Sequence, residues 1–304
     1  MHLLTLKDWS KERIIELIDW AERIKEDSEG YYGILKGTNM VMIFQKPSTR
    51  TRISFEVAMA QLGGHAIFLD WKKTHFEISD IRDEIRCISR YADIIMVRLM
   101  RHDDLEMMAK VSSVPVINGL DEKYHPCQIL SDLLTIKEKK GRLEGLKLAY
   151  IGIANNVSNS LALGCAKVGI KFILCSPERH PPSLDKELAA MLKKTNLYKE
   201  EMDPKKVVNN VDIIYTDTWI DMELFSDSKF KGEKQRRIKK FMPYQVNEKL
   251  LKKSKALVMH CLPAHPGYEI TRGVIESKNS IIFDQAENRL HMQKAIILSL
   301  LGKI

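Results

Sequence analysis

The stretch of the sequence that says most about chemistry is a turn of hydroxyl and guanidinium side chains from Ser48 to Arg52. It follows the apolar run Asn39 to Phe44, and a helical pattern begins at Ile53. A strand-to-helix turn of this composition combines backbone N–H donors, the positive end of a helix and guanidinium forks, all of which bind phosphate. We therefore predict a phosphate site without a Walker lysine loop, and an exposed basic turn is the alternative.

Further polar residues follow the other apolar runs of the chain. Ligands of open parallel sheets bind beyond the carboxyl ends of the strands, so residues at these positions are candidates for binding and catalysis. The candidates are Arg98, Asn118, His125, Gln128, Asn155, Asn156, Asp217, His260, Cys261 and the run Glu287 to Arg289. Structural alternatives stay open for three of them: His125 as a turn residue before proline, Asp217 as a helix cap and Cys261 as a small buried hydrophobe.

The elements that must position these residues are strands that alternate with helices. Amphipathic stretches include the stripe Ile14, Leu17, Ile18, Ala21 and Ile24 behind a Ser10 cap. The apolar runs that read as strands are Asn39–Phe44, His65–Leu69, Ala92–Val97, Val114–Ile117, Leu146–Ile151, Lys171–Leu174, Val211–Tyr215, Ala256–Met259 and Ser280–Phe283. Near-continuous hydrophobic strands indicate parallel sheets that are covered on both faces. The sequence thus predicts an α/β fold with two doubly wound domains, each a parallel sheet with helices on both faces.

The domain boundary is expected near the helical stretch Gln128 to Lys140, because strands both precede and follow it. We predict one domain from residues 1–133, joined by a C-terminal helix over 286–304, and a second domain from residues 134–285. The Lys- and Arg-rich segment Asp227 to Lys240 reads as a solvated surface, or as a lid if the long polar insertion is functional.

The composition excludes several classes of protein. The 304 residues are 44% hydrophobic and 29% charged, as in an ordinary soluble protein, and the apolar runs are far shorter than the roughly 20 residues of a membrane helix. Five scattered cysteines without a CxxC pair suit free thiols in a reducing compartment. The turn at Gly152 lacks the GxGxxG spacing of dinucleotide sites. We expect a cytoplasmic protein without a disulfide framework, a metal or a cofactor.

The formal charge of +8 leaves two kinds of partner open. A basic protein can bind nucleic acid, or it can attract a small anionic substrate. Nucleic-acid binding predicts basic residues interleaved with aromatic ones, but the dense basic stretch Lys229 to Lys240 contains only one aromatic residue, Phe230. We expect small-molecule substrates and no nucleic-acid or membrane partner, and a basic nucleic-acid-binding protein is the remote alternative.

Taken together, the motifs resemble the aspartate/ornithine transcarbamoylase family, and its ornithine branch most closely. The resemblance covers essentially the whole chain. It rests on Ser48–Arg52, Arg98, His125–Gln128, Asn155–Asn156, Asp217–Trp219, Tyr244–Asn247, His260–Pro263 and Glu287–Arg289, all in family order. It implies transfer of a carbamoyl group from carbamoyl phosphate to the side-chain amine of ornithine, which gives citrulline and phosphate.

The resemblance also implies a role for each matching residue. The implied catalytic residues are Arg98, His125 and Cys261. The implied carbamoyl phosphate ligands are Ser48, Thr49, Arg50, Thr51, His75, Arg98, His125, Gln128, Leu262 and Arg289. The implied ornithine ligands are Asn156, Asp217, Asp221, Met222 and Cys261. Because the family's counterpart of His75 reaches into a neighbouring subunit, a homotrimer or a multiple of trimers is implied. A surface histidine without a role is the alternative for His75.

One departure from the family pattern bears on the acceptor. Ornithine enzymes usually continue the Asp-x-Trp segment as x-Ser-Met-Gly, whereas this chain has Asp221, Met222 and Glu223 after Ile220. A carboxylate at Asp221 would attract a second cationic group and repel a nearby α-carboxylate. A carbamoyltransferase that acts on another amine such as putrescine is therefore the nearest alternative, although Asn156 and Met222 are retained.

Overall fold

The structure is a computed structural model that describes residues 1–220 and 228–304. It divides into two compact units. The first unit contains Met1–Leu134 and Glu287–Ile304, and the second unit contains Thr135–Ala286. Both limits lie one residue from the predicted domain boundaries, and they fall within the two helices that were expected to mark them.

The first unit is built on a parallel sheet of four strands. These are β1 (Asn39–Phe44), β2 (His65–Asp70), β3 (Ile94–Arg98) and β4 (Val116–Leu120), in the order β2-β1-β3-β4. Successive residues of β1 and β3 are buried, so both faces of the central strands are covered. Along the edge strand β2, by contrast, exposed and partly buried residues alternate at its start. The prediction of strands buried on both faces is thus wrong for β2, which an edge position leaves accessible.

The second unit has a parallel sheet of five strands. These are β5 (Lys147–Ile151), β6 (Lys171–Cys175), β7 (Tyr198–Glu200), β8 (Ile213–Thr216) and β9 (Leu257–His260), in the order β7-β6-β5-β8-β9. Its core includes Ala149 and Ile151 of β5, Ile214 of β8 and Val258 of the edge strand β9. The α/β fold class is confirmed, since helices flank both parallel sheets.

The helices of the described residues connect these strands. They are α1 (Lys11–Glu26), α2 (Thr49–Gln61), α3 (Ile81–Ile88), α4 (His102–Val111), α5 (Pro126–Lys140), α6 (Asn156–Val168), α7 (Lys186–Lys193), α8 (Lys231–Phe241), α9 (Glu248–Leu251), α10 (Arg272–Ile275) and α11 (Ile282–Leu300). Ser10 caps α1 as predicted, because its side chain accepts the N–H of Arg13, and the whole predicted apolar stripe of α1 is buried. Within the described ranges, no helix has both the length and the apolar character that a bilayer crossing requires.

One predicted strand was wrong, and one strand was not predicted. The run Ser280–Phe283 forms only an isolated bridge, between Ser280 and Val258, before α11 begins at Ile282. Its apolar residues belong to the start of a long helix, and Phe283 is exposed there. The strand β7, Tyr198 to Glu200, was missed because it is short and two of its three residues are charged, so it forms no apolar run.

Candidate active site

Each sheet has one point at which the strand order reverses, between β1 and β3 in the first unit and between β5 and β8 in the second. Parallel sheets bind ligands at such points, beyond the carboxyl ends of the strands. In the first unit, the turn at Ser48 follows β1 and Arg98 ends β3. In the second unit, Asn155 follows β5 and Asp217 follows β8. The topology therefore places the predicted site residues where a ligand is expected.

The turn after β1 presents the N-terminus of α2. Ser48 is the N-cap: its Oγ accepts the N–H of Thr51 at 3.4 Å and donates to Thr51 Oγ1 at 3.0 Å. The first turn of α2 contains no acidic residue, so no carboxylate of the helix itself neutralises its positive end. Thr49 is exposed and Arg50 is half-buried, whereas Thr51 is buried. This geometry is that of an anion site.

A buried network joins this turn to α5 and α11. The guanidinium of Arg289 donates through Nη2 to Thr51 Oγ1 at 2.9 Å and through Nη1 to Gln128 Oε1 at 2.7 Å. Gln128 in turn donates through Nε2 to Asp132 at 2.8 Å. Arg289, Thr51 and Gln128 are each less than 5% exposed. The network fixes a cationic side chain and an amide beside the candidate phosphate turn.

His125 lies directly before α5 and is buried. Burial lowers the pKa of this imidazole well below its usual value, and the charges of Arg289, Arg98 and Arg50 lower it further. His125 is therefore neutral at physiological pH and can donate one hydrogen bond without carrying a charge. The effect of three arginines on one imidazole also shows that these predicted site residues lie together in the first unit.

Arg98 is placed by an irregularity between β3 and β4. Val97 pairs with Asn118, but Arg98 pairs with Leu120, so Gly119 is an extra residue in β4. A Cβ on Gly119 would lie 2.6 Å from Met96 Sδ and 3.0 Å from the Val97 carbonyl oxygen, so only glycine fits there.

In the second unit, Asp217 is the centre of a polar cluster. Its Oδ2 accepts the side-chain N–H of Asn155 at 2.7 Å, and its Oδ1 accepts the N–H of Thr218 at 2.8 Å and the thiol of Cys261 at 3.2 Å. The side-chain oxygen of Asn155 accepts the Tyr150 hydroxyl at 3.1 Å and two N–H groups at the start of α6. Asp217 is buried, and the cluster brings it into contact with Cys261, which the resemblance also implies as an ornithine ligand.

The loop after β9 is held by a second buried cluster. His260 Nδ1 accepts the N–H of Leu262 at 2.8 Å, and His260 Nε2 lies 3.2 Å from Glu269 Oε1. These contacts assign the Nε2–H tautomer to His260. Leu262 has a φ of 60°, which side chains other than glycine seldom adopt. A conformation of this kind persists where the surroundings hold it, and it often marks a ligand-binding loop.

Asp217, His260 and Cys261 form a cluster whose donor atoms lie within 4.8 Å of one another. Such a group could hold a metal ion. However, both imidazole nitrogens of His260 are already engaged, one by the Leu262 N–H and the other by Glu269. A metal bound by His260 would have to displace one of these partners, so the donor set fits a metal poorly.

The remaining predicted site residues fall in three places. Asn156 begins α6 and is half-buried beside Asn155, and Leu262 belongs to the second unit. His75 is exposed in the first unit, in a short turn between β2 and α3. Asp221 and Met222 lie outside the described residues.

The sequence reasoning missed several residues that organise the site. Asn155 was among the candidates but had no role assigned to it, and Glu269 was not singled out at all, although it is fully buried against His260. The sequence carried no signal for Glu269, because it lies well along the loop that follows β9 and its contact with His260 depends on the conformation of that loop. The Tyr150 hydroxyl offered no signal, because β5 reads as a purely apolar strand.

Comparison with known proteins agrees with this architecture. Residues 1–138 match the carbamoyl-P binding domain of aspartate/ornithine carbamoyltransferases, and residues 144–300 match their Asp/Orn binding domain. The ornithine carbamoyltransferase of Archaeoglobus fulgidus is 47% identical over 99% of this chain and 98% of its own length. "Ornithine carbamoyltransferase, anabolic" from Pyrococcus furiosus is 43% identical over 99% and 96%. A solved P. furiosus ornithine carbamoyltransferase superposes with a TM-score of 0.90 at 42% identity, covering 100% of this chain and 97% of that one.

The fold and the two clusters define an α/β protein of two compact units, with a candidate anion site in the first unit and an acidic polar cluster in the second. The family models span nearly the whole chain, and the relatives exceed 40% identity over almost their full length. The chain belongs to the aspartate/ornithine carbamoyltransferase family.

Proposed function

We propose that the protein is a carbamoyltransferase that moves the carbamoyl group of carbamoyl phosphate to the side-chain amine of L-ornithine, giving L-citrulline and phosphate. The observation that carries this proposal is the buried Arg289, Thr51 and Gln128 network beside a neutral His125. The positive charge of Arg289 suits a small dianion, and the side chains of Gln128 and neutral His125 suit hydrogen bonds to an amide in the same ligand.

The first unit would bind carbamoyl phosphate. Ser48, Thr49, Arg50 and Thr51 would hold the phosphate through hydroxyls, backbone N–H groups and a guanidinium. Arg98, His125 and Thr51 would donate to the carbonyl oxygen and stabilise the negative charge that develops there during attack. Gln128 and Arg289 are proposed to contact the carbamoyl end, together with His75 from a neighbouring subunit and the Leu262 carbonyl, whose unusual φ supports a role in binding.

The second unit would hold the acceptor. Asp217 and Cys261 are proposed to surround the reacting amine, and Asn156 is proposed to take the α-carboxylate. The roles proposed for Asp221 and Met222 rest on the family resemblance alone. After the ammonium loses one proton, the amine nitrogen bonds to the carbamoyl carbon and the bond from that carbon to the phosphate oxygen breaks. The electron pair of that bond leaves with phosphate, which also receives the second proton that the nitrogen gives up. Positioning and charge stabilisation suffice for this reaction, without a covalent intermediate.

The acceptor is tested by steady-state assays with carbamoyl phosphate and ornithine, lysine, putrescine or agmatine. We expect ornithine to give the highest kcat/KM, with citrulline as the product. A higher kcat/KM for putrescine than for ornithine would make putrescine the acceptor. Failure to form a carbamoylated product with any of these amines would contradict carbamoyl transfer itself. Arg50→Ala should lose more than about a hundredfold in kcat/KM with an unchanged Tm, whereas the exposed control Arg272→Ala should remain active.

We further propose that the protein forms a homotrimer or a multiple of trimers. The first unit exposes large apolar side chains, among them Ile53, Ile67 and Ile78, and His75 is accessible for contact with a neighbour. Exposed apolar residues of this size are common at protein interfaces. The threefold symmetry itself is inferred from the family resemblance.

Two other proposals concern the cellular role. The word "anabolic" in the name of the P. furiosus relative supports the biosynthetic direction, in which citrulline is formed. Five free cysteines support a reducing compartment, which we take to be the cytoplasm. Cell fractionation with a specific antibody would test the location.

A further inference from the structure

A buried histidine and carboxylate pair lies in the first unit and has no role in the chemistry proposed above. His102 Nδ1 and Asp121 Oδ2 are 2.6 Å apart. His102 is 7% exposed, and Asp121 is fully buried. Buried charged groups are rare unless they are paired, so the pair requires an explanation.

Asp121 organises the loop that ends at His125. Its Oδ1 accepts the backbone N–H groups of Lys123 and Tyr124, each at 2.7 Å. Its Oδ2 accepts the side-chain N–H of Asn118 at 2.8 Å in addition to the bond from His102. Asp121 thus receives four hydrogen bonds, three of which come from β4 or from its own loop. The loop between β4 and α5 is folded around this carboxylate.

His102 supplies the fourth bond from a different element. It is the first residue of α4, and the loop before α4 begins at Arg98. The backbone N–H of Leu99 donates to the Leu120 carbonyl at 3.0 Å, so the two loops already touch. The ring of Tyr124, the residue before His125, packs edge-on against the imidazole of His102 at 5.2 Å. The pair therefore cross-links the loop that starts at Arg98 to the loop that ends at His125.

We propose that the His102 and Asp121 pair is a positioning element that fixes Arg98 and His125 relative to one another, and that protonation of His102 tightens it. The inference rests on the proposed function, in which these two residues donate to the same carbonyl oxygen. A shift of either donor by a fraction of an ångström would weaken stabilisation of the developing charge.

Several charged groups face His102. Asp121 is the partner at Nδ1, and Glu106 of α4 lies 3.4 Å from Nε2. The positive charge of Lys123, in the loop after β4, opposes protonation of His102. Lys123 also lies 3.8 Å from Asp103, which pairs with Arg101. Burial alone would lower the pKa of His102, but the hydrogen bond and charge of Asp121, together with Glu106, outweigh it and raise the pKa.

The sign of the pH effect follows from this direction. Below the raised pKa, His102 is a cation and its bond to Asp121 is charge-assisted. As the pH rises through that pKa, neutral His102 still donates through Nδ1, but the bond weakens. The positioning contribution is therefore fully present in mild acid and declines toward alkaline pH.

The test compares His102→Gln and His102→Phe with the wild type by kcat/KM for carbamoyl phosphate, at saturating ornithine, between pH 5.5 and 9. The range is chosen to span the usual imidazole pKa of about 6.5. Glutamine keeps a neutral donor, whereas phenylalanine keeps the ring and removes the donor. We expect His102→Phe to lose about tenfold to a hundredfold at every pH. The kcat/KM of His102→Gln divided by that of the wild type should be lowest at acidic pH and rise toward one at alkaline pH. Taking this ratio cancels the titrations that both proteins share.

Controls separate this inference from the proposed function and from simple destabilisation. His65→Gln, at an exposed histidine of β2, should match the wild type at all pH values. A wild type without carbamoyl transfer would contradict the proposed function. An active wild type whose ratio to His102→Gln does not change with pH would overturn the role of protonation. Lowered Tm values with unchanged kcat/KM in both variants would reduce the pair to a structural role and overturn the positioning role.

Discussion

At the scale of single residues, the first unit combines three guanidinium groups with one imidazole, and burial together with these charges lowers the pKa of the imidazole and keeps it neutral. His125 can then donate a hydrogen bond without adding charge repulsion to the arginines around it. Burial lowers the pKa of His125 most, and the same charges that attract a dianion lower it further.

The neutrality of His125 leads to a prediction on pH dependence. Because its pKa is well below the usual value, His125 does not titrate between pH 6 and 8. We expect His125→Gln to lower kcat/KM by about a hundredfold at every pH in this range, since one donor to the developing charge is lost or misplaced. The profile of log kcat/KM against pH should keep its wild-type form. An acid limb that disappears in the variant would mean that His125 titrates after all.

Asn155 leads to a second prediction at this scale. It donates to Asp217 and is itself fixed by Tyr150 and by the start of α6, so it orients the carboxylate. We expect Asn155→Ala to raise the KM for ornithine by about tenfold, because a hydrogen bond to a charged group is lost, and to leave the KM for carbamoyl phosphate within about twofold.

A matched control for Asn155 lies on the same helix. Asn159 donates its side-chain N–H to the Ser183 carbonyl at 2.7 Å, so Asn159→Ala should leave both KM values unchanged. An equal rise of both KM values in Asn155→Ala would point to general disruption of the protein rather than to Asp217.

At the scale of elements, the sequence indicated most of the fold because central parallel strands are apolar on both faces. The runs at β1, β3, β5 and β8 could be found for this reason, and the residues after them could be identified as the site from topology alone. The two errors arose where an apolar run and a strand did not coincide. β7 is a short polar edge strand, and the apolar run near Ile282 begins a helix.

The site could be predicted less completely than the fold. Sequence position identified Arg98, His125 and Asp217, because each lies at or just past a strand end. It did not identify Asn155 as the partner of Asp217 or His102 as the partner of Asp121. Those pairings depend on the conformations of loops, which the residue types do not determine.

The helix α8 illustrates how a basic element is held in place. Glu178, in the loop after β6, accepts two hydrogen bonds from Arg236 at 2.8 Å and one from Lys240 at 2.7 Å. Arg237 donates to the carbonyl of Trp219 at 3.0 Å. The predicted solvated basic surface is therefore partly an ion-pair network that fastens the helix to the second unit.

Glu178 leads to a prediction on stability. Its hydrogen bonds to Arg236, and then those to Lys240, outweigh burial and hold its pKa at about 2, below the usual 4.5. A lowered carboxyl pKa stabilises the fold above about pH 4.5, and this contribution is lost as the pH falls through about 2. Glu178→Gln should lower the free energy of unfolding at pH 7 by about 1 kcal/mol, a value that allows for the half-exposed cations.

Urea denaturation at pH 7 and at pH 3 measures this effect, and we expect the difference between Glu178→Gln and the wild type to shrink at pH 3. The control is Glu276→Gln, which removes the exposed ion pair between Arg272 and Glu276 and should change stability by less than about 0.5 kcal/mol. Equal losses in both variants would contradict a special contribution from Glu178.

At the scale of the whole molecule, the net charge of +8 acquires a specific meaning. Arg50, Arg98 and Arg289 lie around His125 in the first unit, where a small anion is expected. Arg236 and Arg237 of the basic helix are occupied by Glu178 and Glu233. Three of the positive charges thus surround a candidate anion site, whereas those of Arg236 and Arg237 are balanced by carboxylates, and neither arrangement is the continuous basic face of a nucleic-acid-binding protein.

The proposed trimer gives a prediction at this scale. If His75 completes the site of a neighbouring subunit, His75→Ala and Arg50→Ala each disable every site in their own homotrimer. Co-expression of the two variants with different tags should yield mixed trimers in which some sites contain both wild-type residues. We expect double-tag purified hybrids to regain about a tenth or more of the wild-type kcat, a partial recovery set by subunit statistics. Hybrids as inactive as the parents would contradict a shared site.

The extra residue Gly119 in β4 has a consequence for how sequence change affects this protein. A bulge bends its strand and increases the local twist, so deletion of Gly119 would give regular pairing with β3 and change the direction in which the chain leaves β4 toward His125. Deletion of this one codon would then abolish the activity of the protein, although every residue of the site would still be encoded. Judging whether a distant homologue is active therefore requires counting the residues between Asn118 and His125 as well as reading their letters.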